Sequence, residues 1–157
     1  FADELQRKGL ETGDSENNRL ISLGALGVLG GKFLPRLMQQ AQSYESLARS
    51  PKLGSIFETW AVNYIIQQCA VLDVPPKLYH WRTSAGAEVD VILERSGKLY
   101  PIEIKCKTNL SRGDLSGLKA FRETYVKQEI MPGVVLYAGA ECFKLDEATT
   151  AIPWNLV

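Results

Sequence analysis

The sequence predicts a mixed α/β domain over residues 50–157, with a mixed β-sheet flanked by helices in the order α-β-β-β-α-β. Three observations lead there. Apolar residues recur at helical spacing after Ser50. Two successive segments, 87–95 and 98–107, then alternate apolar and charged residues as half-buried strands do. Finally, a second helical pattern separates the third strand from a continuously apolar fourth, which implies a parallel crossover.

The elements can be justified in order. Ser50 suits an N-cap and Pro51 a first helical position. Leu53, Ile56, Phe57, Trp60, Ala61, Tyr64 and Ile65 form a wide apolar face, and the helix runs to about Val71, ahead of Pro75-Pro76. Leu78–Arg82 is an aromatic-rich strand ended by the turn signal Ser84-Ala85-Gly86. Ala87–Arg95 follows, with Ala87, Val89, Val91 and Leu93 facing one way and Glu88, Asp90, Ile92 and Glu94 the other. In Lys98–Lys107, Ile102, Ile104 and Cys106 oppose Glu103, Lys105 and Lys107. After Gly113-Asp114, Leu115, Leu118, Phe121 and Tyr125 mark the second helix. Val134–Ala138 reads as a strand buried on both faces. The tail, with Phe143, Leu145 and Ile152-Pro153-Trp154, is expected to add edge strands.

Residues 1–49 are expected to be a mostly helical lead-in with a polar loop around Glu11–Asn18, distinct from the domain at 50–157. The chain starts at Phe1 rather than Met, as a fragment of a longer protein would. Its most apolar stretch, Leu20–Leu34, is too short to span a bilayer and is broken by glycines, and no basic segment precedes it as in a signal peptide. Gly30-Gly31-Lys32 lacks the first glycine and the hydroxyl residue of a phosphate loop, since Leu26 and Phe33 occupy those places.

Composition narrows the function. The 157 residues carry 18 Lys+Arg against 18 Asp+Glu, with 45% hydrophobic residues, which excludes a polybasic nucleic-acid binder and a disordered acidic tail. The balance is uneven along the chain: between Glu103 and Lys127 six basic residues face three acids, leaving room for a focused positive site. Cys69, Cys106 and Cys142 are widely spaced, so a disulfide framework is not expected and a reducing, cytoplasmic setting and buried packing roles are.

The chemistry concentrates in the strand pair. A two-residue turn at Ser96-Gly97 pairs Arg95 with Lys98, and that register continued sets Asp90 opposite Glu103 and Glu88 opposite Lys105. The second is an ordinary cross-strand ion pair. The first is a like-charge pair, destabilising unless a proton, a cation or a splay relieves it. Mg²⁺, a hard cation that takes oxygen ligands, suits such a pair. Two simpler arrangements stay open: a solvated charged sheet face, or a bulge at Pro101 that separates the acids. The preceding helix carries one acid, Glu58.

Glu58, then Glu88-Val89-Asp90, then Glu103-Ile104-Lys105 resembles the PD-(D/E)XK nuclease pattern of a helical Glu, a strand Asp and E-x-K on the next strand. The chain more closely resembles a domain of unknown function found C-terminal to the ATPase module of predicted prokaryotic AAA+ ATPases. The shared residues are Gly54-x-x-Phe57-Glu58, Leu78-Tyr79-x-x-Arg82, Gly86-x-Glu88-Val89-Asp90, Ile102-Glu103-Ile104-Lys105, Leu118, Phe121, Gly133–Tyr137 and Ile152-Pro153. The likeness covers about Pro51 to Val157 and leaves Phe1–Arg49 outside.

This resemblance implies a restriction-endonuclease-like core and a nuclease-like domain hydrolysing DNA phosphodiesters with Mg²⁺ or Mn²⁺. Asp90, Glu103 and the Ile104 carbonyl would hold the metal, Lys105 would orient or deprotonate the attacking water, and Glu58 would assist. Arg82, Lys107, Arg112 and Lys119 would contact DNA. An upstream AAA+ ATPase module would be the partner in the full-length chain, with a homodimer left open and no membrane. Two other classes compete: a non-catalytic nucleic-acid- or protein-binding module regulating that ATPase, and a structural dimerisation domain. His80 and the tryptophans are expected to pack, and Arg82 either to face a phosphate or to pair with Glu88.

Overall fold

A computed structural model describes residues 18–22 and 50–156. The glycine-rich segment with Gly30-Gly31-Lys32 lies outside the described residues, as does most of the lead-in. The expected order is present. Helix α1 (Leu53–Ala70) precedes β2 (Lys77–Thr83), β3 (Glu88–Arg95) and β4 (Lys98–Lys105). A 3-10 turn (Arg112–Leu115) then leads into α2 (Ser116–Thr124), followed by β5 (Gly133–Tyr137), β6 (Phe143–Asp146) and β7 (Thr149–Pro153).

With β1 (Asn18–Ser22) these strands form one seven-stranded sheet in the order β1-β2-β3-β4-β5-β7-β6. The described part of the lead-in is therefore a strand, not a helix, pairing antiparallel with β2. The α2 crossover makes β4 and β5 parallel, as the patterning predicts. The tail departs from expectation: β7 is interior, parallel to β5, and only β6 is an edge.

Helix α1 starts at Leu53, after a turn in which the Ser50 carbonyl accepts the Leu53 N–H at 3.0 Å and the Ser50 hydroxyl accepts the Lys52 N–H at 3.2 Å. Ser50 thus caps the lead-in turn rather than the helix, and Pro51 lies in that turn. No described helix is long and apolar enough to cross a membrane.

Both sheet faces are covered. On one, α1 lays Phe57, Trp60, Ala61 and Ile65 over Val91, Ile104 and Leu136. On the other, Leu115, Leu118, Phe121 and Tyr125 pack on Trp81, Val89, Ile92 and Val135. Trp81 is fully buried, with the Phe121 ring edge-on at 5.3 Å. The picture of one buried back and one open charged face is therefore corrected: two apolar layers sandwich the sheet, and charge survives only where a layer ends.

The β3–β4 hairpin turns at Ser96-Gly97, both at positive φ (53° and 78°), as a primed two-residue turn requires. Its ladder runs from Arg95–Lys98 through Ile92–Pro101 to Val91–Ile102 and goes no further. Pro101 hosts no bulge. The irregularity lies between β2 and β3, where Tyr79 pairs with Ile92 but Trp81 with Val89, so Asp90 and Val91 together oppose His80. One extra residue there breaks the alternation: Val89 joins Ile92 on the α2 side, while Val91 turns to α1.

Helix α2 approaches this region closely because Gly117 has no side chain. A Cβ there would run into the backbone carbonyl oxygen of Glu88. Gly117→Ala must push α2 off β3, which costs about 1–3 kcal/mol of stability. Urea denaturation checks this, and an unchanged midpoint would show that the helix position is not limited by this contact.

Candidate acidic site at the inner end of the hairpin

The four residues of the E…D…E-x-K pattern come together where the β3–β4 ladder stops. The bulge and the end of the ladder free Asp90 from strand pairing. Its Oδ2 accepts the Ile104 N–H at 2.6 Å, in place of a strand carbonyl. Asp90 and Glu103 are both buried, at 4% and 3% exposure. They meet as neighbours across a splayed junction rather than as a ladder pair.

The expected Glu88–Lys105 ion pair does not form. Lys105 instead donates to Glu103 Oε1 at 2.5 Å, and Glu88 lies 3.7 Å from the guanidinium of Arg82. Glu103 and Lys105 share one face of β4, two residues apart, so their contact needs no cross-strand alignment. The second oxygen of Glu103, Oε2, is buried without a hydrogen-bond partner, close to where a Gly117 side chain would begin.

Glu58 reaches the cluster from α1. It is exposed, unlike the two strand acids, yet close enough for the Asp90 and Glu88 charges to act on it. His80, expected only to pack, sits opposite the bulge, with Nδ1 3.3 Å from the Asp90 carbonyl oxygen. The sequence signal for this was its place on the strand next to Asp90, but only the bulge brings the two together.

The electrostatics follow from three carboxyls meeting one ammonium. Burial, then repulsion from Asp90, push Glu103 up to about 8 despite Lys105. Burial and the Asp90 and Glu88 charges push Glu58 up to about 7. Burial also raises Asp90, although the Ile104 N–H and Lys105 oppose the shift. For Lys105, burial disfavours the ammonium, but its bond to Glu103 and the acidic surroundings outweigh that and hold it above the usual lysine value. The cluster is short of positive charge.

Among the described residues no group of three or more His, Cys, Asp and Glu side chains is placed to hold a metal ion by itself. The donors that remain are the Asp90 and Glu103 carboxylates and the main-chain oxygen of Ile104. The unpartnered Glu103 Oε2 and the deficit of positive charge fit a cation there.

The basic residues named from the sequence do not converge on the cluster. Arg82 is occupied by Glu88. Lys107 pairs with Asp114 at 2.6 Å, and Asp114 also accepts from Ser111 at the start of the 3-10 turn. Burial works against the Asp114 charge, but these hydrogen bonds outweigh it and hold the carboxyl below its usual range. Arg112 and Lys119 are exposed on the 3-10 turn and α2. Among the cysteines only Cys69 is buried, which corrects the packing role expected for Cys106 and Cys142; all three are free.

Residues 53–157 match the family described as "Domain of unknown function (DUF4143)". The chain belongs to this family. It is 33% identical over 108 residues to an uncharacterized protein of Mycobacterium bovis, and equally to one of Mycobacterium tuberculosis. Each alignment takes in 69% of this chain and 22% of the relative, so the chain spans about a fifth of those proteins. No solved structure matches it. The DUF4143 match begins at the first residue of α1 and includes every member of the acidic cluster.

The raised carboxyls bind protons more tightly in the folded chain than in the unfolded one, whose glutamates titrate near 4.5. The unfolded state therefore binds fewer protons between about pH 4.5 and 8, and stability falls as pH rises through that window. Thermal melts in chelator from pH 5 to 8 should show this decline. Glu103→Gln should flatten it, and an equally steep decline in that variant would mean that Glu103 is not its source.

Proposed function

We propose that this DUF4143 domain hydrolyses phosphodiester bonds of DNA at the cluster of Glu58, Asp90, Glu103 and Lys105, with Mg²⁺ or Mn²⁺ as cofactor. The observation that carries this reading is the unpartnered, buried Glu103 Oε2, set among acids that have too little positive charge around them. A structural ion network would close on itself. This one leaves an acceptor empty.

Asp90 and Glu103 would hold the cation, with the Ile104 carbonyl as a third oxygen ligand. A bound Mg²⁺ or Mn²⁺ supplies Lewis-acid polarisation of the phosphoryl oxygen and acidifies the attacking water. The Ile104 N–H keeps one Asp90 oxygen fixed, so the other is presented in a set direction. Lys105, part-exposed beside Glu103, would orient that water and offset charge developing on the phosphate. Glu58, pushed up to about 7, would in its ionised form accept the proton that the same water loses on attack. Lys107, Arg112 and Lys119 would track the strand's phosphates from the α2 side. An ATPase module elsewhere in the full-length protein would deliver the nucleic acid, in a cytoplasmic setting.

The second reading, a non-catalytic regulatory module that binds nucleic acid or protein, draws on the existing Lys105–Glu103 pair, which already satisfies half of the Glu103 carboxylate. Calorimetry with Mn²⁺ and cleavage of single-stranded and plasmid DNA separate the two. The hydrolytic reading expects Mn²⁺ binding that Glu103→Gln weakens, and cleavage that Glu103→Gln or Lys105→Ala lowers by about 100-fold or more. Cleavage that persists in both variants, or no metal binding at all, would overturn it.

A further inference from the structure

A cleft of 530 Å³ lies at the carboxyl ends of β4 and β5, lined by Thr108, Asn109, Leu110, Tyr137, Phe143 and the turn at 138–141. The carboxyl ends of adjacent parallel strands are where open α/β sheets take ligands. The walls are held in place. The Tyr137 hydroxyl donates to the Glu141 carbonyl at 2.6 Å and accepts the Glu141 N–H at 3.3 Å, which pins the 138–141 turn. The Ala138 N–H donates to the Lys107 carbonyl at 3.1 Å, so both walls leave the sheet from one shared hydrogen bond. Gly139 allows that turn to close down, because a Cβ there would collide with the Tyr137 ring.

The lining mixes aromatic surface with short polar groups. Phe143 stands edge-to-face with Tyr137 at 5.9 Å and keeps 40% of its surface exposed. Leu110 adds apolar surface, and Thr108 and Asn109 supply a hydroxyl and an amide. The mouth is flanked in sequence by Lys107 and Arg112, both exposed. Position relative to the acids narrows the ligand. Tyr137 is the ladder partner of Lys105, one strand across and two residues along from Glu103. With a rise of about 3.3 Å per residue and a strand spacing of about 4.8 Å, that is a separation of ~8 Å. Phe143 lies further out, in line with Glu103 through Val135 and Ala151, three strand spacings or about 14 Å away. A strand whose phosphate sits at the acids would therefore reach this cleft with a nucleotide further along, not with the adjacent one.

We infer that the cleft is a base-binding subsite, taking one unpaired base of a nucleic-acid strand against Phe143, with Thr108 and Asn109 hydrogen-bonding its edge. The inference rests on the phosphodiester reading for its choice of ligand, and its test is independent of turnover. The probe is a single-stranded oligodeoxynucleotide of about 12 nucleotides carrying one 2-aminopurine, whose fluorescence falls on stacking, titrated into the full chain bearing Lys105→Ala. Saturable quenching is expected. Adding Phe143→Ala should weaken it by about 10- to 100-fold, Phe143→Trp should restore it, and Asn109→Ala should weaken it by about 5-fold. Phe143 and Asn109 are exposed, so unchanged melting temperatures verify that these variants fold. No saturable quenching, or quenching indifferent to Phe143→Ala, overturns the subsite. Phe143-dependent quenching by a wild-type chain that cleaves nothing would support the subsite and remove the hydrolytic reading. Cleavage that depends on Glu103 without Phe143-dependent quenching would do the reverse.

Discussion

At the inner end of the β3–β4 hairpin, the N–H of Ile104 is satisfied by a side chain, Asp90 Oδ2, instead of by the backbone of β3. A buried strand N–H must find an acceptor, and a carboxylate in that place is a stronger partner than a carbonyl. It also ends the ladder, because the strand that would have paired there has stepped aside. The bulge against His80 supplies the extra residue for that step. Much of the site's arrangement follows from this exchange. Val89 and Val91, which strict alternation would place together, are sent to opposite core layers, Glu103 loses its cross-strand neighbour, and Glu58 comes within reach of the Asp90 charge.

The arrangement is costly in electrostatic terms. Glu58, Asp90 and Glu103 are all held above their ordinary carboxyl range, chiefly by loss of water. Lys105 compensates one of them. Perturbed acids gathered at one point are a physical marker of a functional site, although ion-pair networks can produce the same shifts. The orphaned Glu103 oxygen is what the proposed cation-binding reading draws on. Gly117 contributes by letting α2 come close enough to screen that oxygen from solvent, so a packing detail on one helix sets the dielectric around an acid on a strand.

Several elements were readable because their cause is local. Residues 53–70 form a helix because apolar residues recur along it at helical spacing and no proline interrupts it before Pro75-Pro76; Ser96-Gly97 turns with both residues at positive φ; β4 and β5 are parallel because a helix joins them. The acids' membership of one site was also readable, from the E-x-D and E-x-K spacing. Their contacts were not. Lys105 was expected to pair across the hairpin with Glu88, but the splay removed that partner and left Glu103 on its own face. The tail shows the same limit. The tail around Phe143, Leu145 and Ile152-Pro153-Trp154 was expected to form edge strands, yet β7 lies between β5 and β6, because strand order depends on which edge of the sheet is still open.

The amino-acid sequence by itself determined the order of elements, the parallel crossover, the hairpin turn and the identity of the polar groups at its inner end. Each of these depends on residues within one or two turns or strands of each other. Only the tertiary structure decided that Asp90 bonds to Ile104, that His80 faces the bulge, that β1 extends the sheet, and that a cleft opens beside Tyr137. The physical reason is that a bulge costs one residue of register and marks the alternation only through Ile92, a single apolar residue among the charged positions of that face. Whether a charged side chain meets a neighbour, a backbone N–H or open space depends on how segments far apart in the chain are packed against it.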